Sequence, residues 1–115
     1  MGNKLVDLSL EFSAAAVSFC DTLKVHSSLV NQMERSATSI GANIHEANYA
    51  QSRADFIAKL QIALKECYET EYWLKLFQRT GIGNNEKLQS LQERCGTLRR
   101  LLIASLNTAK GKKSE

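Results

Sequence analysis

An antiparallel up-and-down bundle of four α-helices is the all-α fold that this sequence predicts, and three observations carry the prediction. The 115 residues contain no proline, the residue that helix interiors tolerate least. Apolar residues recur at steps of three and four along nearly the whole chain, the spacing of one helix face. That pattern pauses only three times, each time for a few residues, so consecutive helices must reverse direction and lie side by side.

The first helix is expected from Lys4 to Val25, with Leu5, Leu8, Phe12, Ala15, Phe19 and Leu23 inward. His26-Ser27-Ser28 breaks it, and a serine hydroxyl there is expected to cap the next helix by accepting a backbone N–H bond. The second helix is expected over Leu29–Asn48. The pause at Tyr49–Ser52 ends in Ser52-x-x-Asp55, a capping box with a shortened acid. The third helix then runs to Arg79 with Phe56, Leu60, Leu64, Cys67, Leu74 and Phe77 inward. Gly81 suits the left-handed position after a helix C-terminus, with Ile82 packing back on the last turn. Asn84 is expected to cap a fourth helix through Asn107, its inward line being Leu88, Leu91, Cys95, Leu98, Leu102 and Leu106. Residues 1–109 thus form one bundle domain, and 110–115 are expected to be a disordered basic tail.

The second helix carries more small residues than a surface helix needs. Between an apolar line (Met33, Ala37, Ile40, Ile44, Ala47) and a polar line (Gln32, Arg35, Ser39, Asn43, Glu46) lie Ser36, Thr38, Gly41 and Ala42. A mid-helix glycine costs about 1 kcal/mol against alanine, and close approach by neighbouring helices is the expected compensation. The third helix adds Tyr68, Tyr72, Trp73 and Leu76 to its core line, so apolar surface extends around the cylinder. Gly41, Ala42, Tyr68, Tyr72, Trp73 and Leu76 are therefore the expected contacts of a homo-oligomer.

Chemistry is sparse. Hydrophobic residues make up 43% and charged residues 23% of the chain, an ordinary globular balance. Asn3, Lys4 and Asp7 interrupt the N-terminal stretch, so neither signal peptide nor membrane span is expected and the default address is the cytoplasm. Cys20, Cys67 and Cys95 fall in register with apolar neighbours and read as core thiols. No Glu-x-x-His pair faces inward as a di-metal bundle requires, and His45-Glu46-Ala47-Asn48-Tyr49 has tyrosine where a zinc motif needs its second histidine. No metal, cofactor or small-molecule substrate is expected. Neither a G-x-S-x-G turn nor a phosphate-cradling glycine loop occurs.

Two groups of polar residues remain. Glu69 and Glu71 lie near the inward line of the third helix and need partners if buried. Arg35 is the obvious one and Asn43 a neutral one, so that with Glu46 these residues read as a structural polar layer fixing helix register. A small enzyme built on that Glu/Arg layer is the weaker alternative. Charge is also uneven: residues 1–93 carry nine Lys/Arg against eleven Asp/Glu, whereas Arg94, Arg99, Arg100, Lys110, Lys112 and Lys113 face only Glu115. Those six are the candidates for phosphate contact with RNA or DNA.

The second and third helices also carry a recognisable pattern. Gln32-x-x-Arg35-Ser36-Ala37-x-Ser39-Ile40-x-Ala42-Asn43-Ile44-x-Glu46, followed by Phe56 and by Leu60-x-Ile62-Ala63-Leu64-x-x-x-x-Glu69-x-Glu71-x-x-Leu74, resembles the four-helix bundle family of 23S rRNA intervening-sequence proteins, also called the S23 ribosomal protein family. The usual Glu-Gly closing the second helix reads Glu46-Ala47 here. The resemblance covers almost the whole chain. It implies an antiparallel bundle assembling into a homopentameric ring, with no catalytic residues to carry over. It also implies a kinship with the accessory proteins of diversity-generating retroelements, in which a basic barrel engages nucleic acid and a reverse transcriptase. That role is the alternative function.

Overall fold

A computed structural model describes residues 3–111. Four helices follow in order: α1 (Asn3–Asp21), α2 (Ser27–Ala47), α3 (Arg53–Thr80) and α4 (Asn85–Ala109). Each packs on the next, and α1 closes the square against α4, so α1 and α3 lie diagonally, as do α2 and α4. The α1–α4 seam is the least extensive of the four. At 1.5 Å per residue the 28 residues of α3 account for the 43 Å long axis. Among the described residues no helix is long and apolar enough to cross a membrane.

The core is one cluster running the length of the bundle. Phe12, Ala16 and Phe19 of α1 meet Met33, Ala37, Ile40 and Ile44 of α2, while Leu60, Cys67, Leu74 and Phe77 of α3 meet Leu88, Cys95, Leu98 and Leu102 of α4. All three cysteines are buried within it as free thiols. Leu8, Ala15, Leu64 and Phe56, expected inward from their spacing, are only half-buried and pack on its margin.

Three helix ends match the residues that specify them. Ser52 Oγ accepts the Asp55 N–H at 3.1 Å, and the shorter acid returns the bond one residue early, accepting from the Gln51 N–H at 3.3 Å. Asn84 Oδ1 accepts the Lys87 N–H at 3.0 Å. Gly81 takes φ 73°, the Ile82 N–H reaches the Phe77 carbonyl at 2.9 Å, and Ile82 is buried, which completes a Schellman end.

The first turn differs from expectation. α1 stops at Asp21 rather than Val25: the Thr22 and Leu23 N–H groups bond three residues back, to Phe19 and Cys20, and the Thr22 hydroxyl also donates to the Phe19 carbonyl at 2.6 Å. Neither Ser27 nor Ser28 caps α2. His26 occupies the cap position in the left-handed region (φ 48°, ψ 51°) without a side-chain cap bond, while its carbonyl accepts from Leu29 and Val30. Histidine is among the residue types that adopt this conformation more readily than most, yet it is strained there. Replacing His26 with glycine is expected to raise stability by up to about 1 kcal/mol in urea unfolding, the left-handed penalty outweighing the unfolded-state entropy that glycine adds.

Candidate interaction surfaces

The ionisable side chains singled out in the sequence separate into three pairings on two seams. At the α2–α3 seam, Arg35 Nη1 donates to Glu66 Oε2 at 3.0 Å and Nη2 donates to Glu69 Oε2. The same Glu69 oxygen accepts the Trp73 indole N–H at 3.0 Å. That indole bond, aided by Arg35 and opposed by partial burial, holds the Glu69 carboxyl below the usual carboxylate range. Across the α3–α4 seam Arg99 Nε donates to both oxygens of Glu71, at 3.1 and 3.3 Å. Glu46 pairs with Lys59 at 3.1 Å on the outside of the α2–α3 seam. Asn43 bonds within its own helix, donating to the Ser39 carbonyl at 2.9 Å.

The polar contact deepest in the bundle joins Ser36, which the sequence marks only as a small side chain, to Thr70, which the sequence reading passed over. Ser36 Oγ and Thr70 Oγ1 lie 2.8 Å apart between α2 and α3, both without solvent exposure, and each also reaches a carbonyl of its own helix, Met33 and Glu66 respectively. Glu66, the other missed residue, has a side chain only 11% exposed. The signal was present: Ser36 completes the three-four step from Met33 to Ile40, and Thr70 the step from Cys67 to Leu74. A polar residue on an apolar line is a buried hydrogen-bonding group until shown otherwise.

The thiols are poorly suited to reaction. Burial pushes Cys20 up to about 12. Cys95 is raised as well, first by its hydrogen-bonding contact with Cys67 and then by burial, and its thiol lies 3.6 Å from the Cys67 carbonyl oxygen. Among the described residues no group of three or more His, Cys, Asp or Glu side chains is placed to hold a metal ion.

The cavities are open grooves along the seams. One of about 400 Å³ runs between α1 and α2, floored by Ser9, Ser13, Gly41 and Ala42 and walled by Val6 and Leu10. The expected oligomer residues divide between this groove (Gly41, Ala42) and α3. There Tyr68 and Tyr72 are exposed, and Trp73 and Leu76 are half-buried. Two further grooves, of about 430 and 350 Å³, follow the α1–α4 seam with Arg94 lining both. Of the expected phosphate-contact residues, Arg94, Arg100 and Lys110 are exposed, Arg99 is engaged by Glu71, and Lys112 and Lys113 lie outside the described residues.

None of the curated proteins matches this chain. A crystal structure of a protein of unknown function from the S23 ribosomal protein family of Bacteroides thetaiotaomicron superposes with a TM-score of 0.83. It is 46% identical, and the match covers 89% of this chain and 97% of that one. The family model for the 23S rRNA-intervening sequence protein matches residues 3–104, which include all of α1, α2 and α3 and most of α4. By its helices, its α2–α3 pattern and these two matches, the chain belongs to the 23S rRNA-intervening sequence protein family.

Proposed function

We propose that the chain is a non-catalytic bundle that self-associates through the outer face of α1 and α2, with a homopentameric ring in the cytoplasm as the expected form. One observation supports this reading above the others. Leu10 is 68% exposed beside the groove that Gly41 and Ala42 floor, with Ala14 and Val17 further along α1 and Tyr49, 73% exposed, at the end of α2. Leu10, Val17 and Ala42 leave apolar surface open here, with His45 and Glu46 also lining the groove, and a chain gains by covering such a patch. The polar chemistry supports a structural role, because the carboxylates nearest the core, Glu66, Glu69 and Glu71, are each held by an arginine.

Light scattering on the purified chain at micromolar concentration tests this. The expected mass is that of an oligomer, and the Leu10→Glu, Ala42→Glu double variant is expected to sediment as a folded monomer. A wild-type monomer, or a variant of unchanged mass, refutes the proposed face. Should the ring form, the exposed Arg94, Arg100 and Lys110 of each copy would repeat around it, which favours RNA or DNA as the partner of the assembly.

A further inference from the structure

A second surface lies on α3, away from the proposed self-contact. Lys65, Tyr68, Tyr72, Lys75 and Arg79 follow one another at steps of three, four, three and four, which aligns them in one stripe along the outward side of the helix. All five are exposed, Tyr68 by 55% and Tyr72 by 58%. At 1.5 Å per residue the stripe is about 21 Å long, with the two tyrosines one turn, about 6 Å, apart.

No cation of this stripe is tied up in an ion pair among the described residues, although Lys65 stands near enough to Glu69 to help lower its pKa. Among the described residues, the ion pairs of α3 engage Glu66, Glu69 and Glu71 with Arg35 and Arg99, and Lys59 with Glu46, and none involves Lys65, Lys75 or Arg79. The carboxylates that would neutralise the stripe are thus already occupied by arginines from α2 and α4. One ring is also held in place. Tyr72 stands edge-on to Trp73, with centroids 5.1 Å apart and planes at 72°, and Trp73 is anchored through its indole N–H to Glu69. An exposed aromatic ring that packing has already oriented loses little freedom when a flat partner stacks on it.

We propose that this stripe binds single-stranded nucleic acid, with Lys65, Lys75 and Arg79 contacting phosphates and Tyr68 and Tyr72 stacking on bases. Alternation of cations and aromatic rings is the arrangement that a single strand exploits, since its bases are free to leave the stack and every base has a π-face. A duplex hides those faces and would use only the cations. An apolar partner helix is less well served, because the stripe itself holds no aliphatic side chain; Leu76 beside it is half-buried, and the exposed Ile62 lies before its first residue. The surface differs from the α4 arginines, and it does not depend on the self-association reading.

Fluorescence anisotropy with the full chain tests the assignment, using a short labelled oligouridine, an oligothymidine of equal length and an RNA duplex, each titrated between about 50 and 200 mM salt. Tighter binding of the single strands than of the duplex is expected. Both single strands are expected to bind, since stacking and phosphate contact need neither the sugar hydroxyl nor the thymine methyl group. Tyr68→Ala with Tyr72→Ala should weaken single-strand binding about tenfold or more at an unchanged salt slope, and the Phe pair should retain it. Lys65→Gln, Lys75→Gln and Arg79→Gln together should flatten the slope by about two, as three lost phosphate contacts require. The proposal fails if the wild type does not bind single strands at low salt, or if the tyrosine pair leaves affinity unchanged. It fails equally if that pair alters the oligomer mass in light scattering with affinity intact, which would make the stripe a protein contact.

Discussion

Gly41→Val is expected to destabilise the bundle by about 2–3 kcal/mol, even though valine is the better helix former of the two. A Cβ built on Gly41 would stand 2.9 Å from Ser13 Oγ and 3.3 Å from the Ser9 carbonyl oxygen, so α1 crosses α2 over a surface that has room for hydrogen alone. A β-branched side chain places two methyl groups on that atom and holds χ1 nearly fixed in a helix, leaving one of them directed at α1. Gly41→Ala is a finer probe. Its gain of about 1 kcal/mol in helix propensity is opposed by both contacts, of which only the serine hydroxyl can turn aside. Removing that hydroxyl with Ser13→Ala should therefore make Gly41→Ala more favourable by about 0.5–1 kcal/mol, a coupling that a double-mutant cycle in urea reads directly. Stability of Gly41→Val equal to that of the wild type would show that the close crossing is not needed.

The same glycine shows what could be read in the sequence. Small side chains midway along α2 announced close packing, and Ser36, Ala37 and Gly41 do meet neighbouring helices of the same chain. Spacing alone does not say which neighbour, and Ala42 one position on is exposed. Periodicity placed the four helices and most of the core because burial repeats with the helix turn. It overran the end of α1 because Leu23 and Val25 continue the pattern while the Thr22 and Leu23 N–H groups already bond three residues back. A local bond of that kind leaves no periodic trace. The capping residues Ser52 and Asn84 were legible, since each uses the side-chain oxygen for which its residue type is favoured there. His26 was not, because its role rests on a backbone angle rather than on a side-chain group.

The polar residues were harder to read for a related reason. Arg35 with Glu69 follows from sign and register. Its other partner, Glu66, sits on the neighbouring turn of α3, and helical spacing allows either acid within reach of so long a side chain. Glu71 lies on the opposite flank of α3, facing α4, where only the assembled bundle brings Arg99 to it. The stripe of Lys65, Tyr68, Tyr72, Lys75 and Arg79 is written in the sequence at heptad spacing, but whether its cations are free depends on which acids the neighbouring helices have already taken.

Arg35→Ala should cost about 1–2 kcal/mol at neutral pH, and the loss should shrink as the solution is made acid. Arg35 is largely exposed, so solvent screens much of its direct attraction. The larger contribution to the cost is what it leaves behind: the Glu66 carboxylate, mostly out of water, without its partner. Glu69 retains the indole N–H of Trp73, the first cause of its lowered pKa, but loses the second favourable one. A carboxyl whose pKa is depressed by folding adds stability that is complete above its unfolded value, near 4.3, and is lost as pH falls through the lower folded value. The share of that stability due to Arg35 is missing from the variant at neutral pH and absent from both proteins once the acid is protonated. Urea midpoints measured from neutral pH down to about pH 3 should therefore converge. Curves that remain parallel throughout would mean that Arg35 stabilises α2 through the packing of its methylene stem rather than through the two acids it bridges.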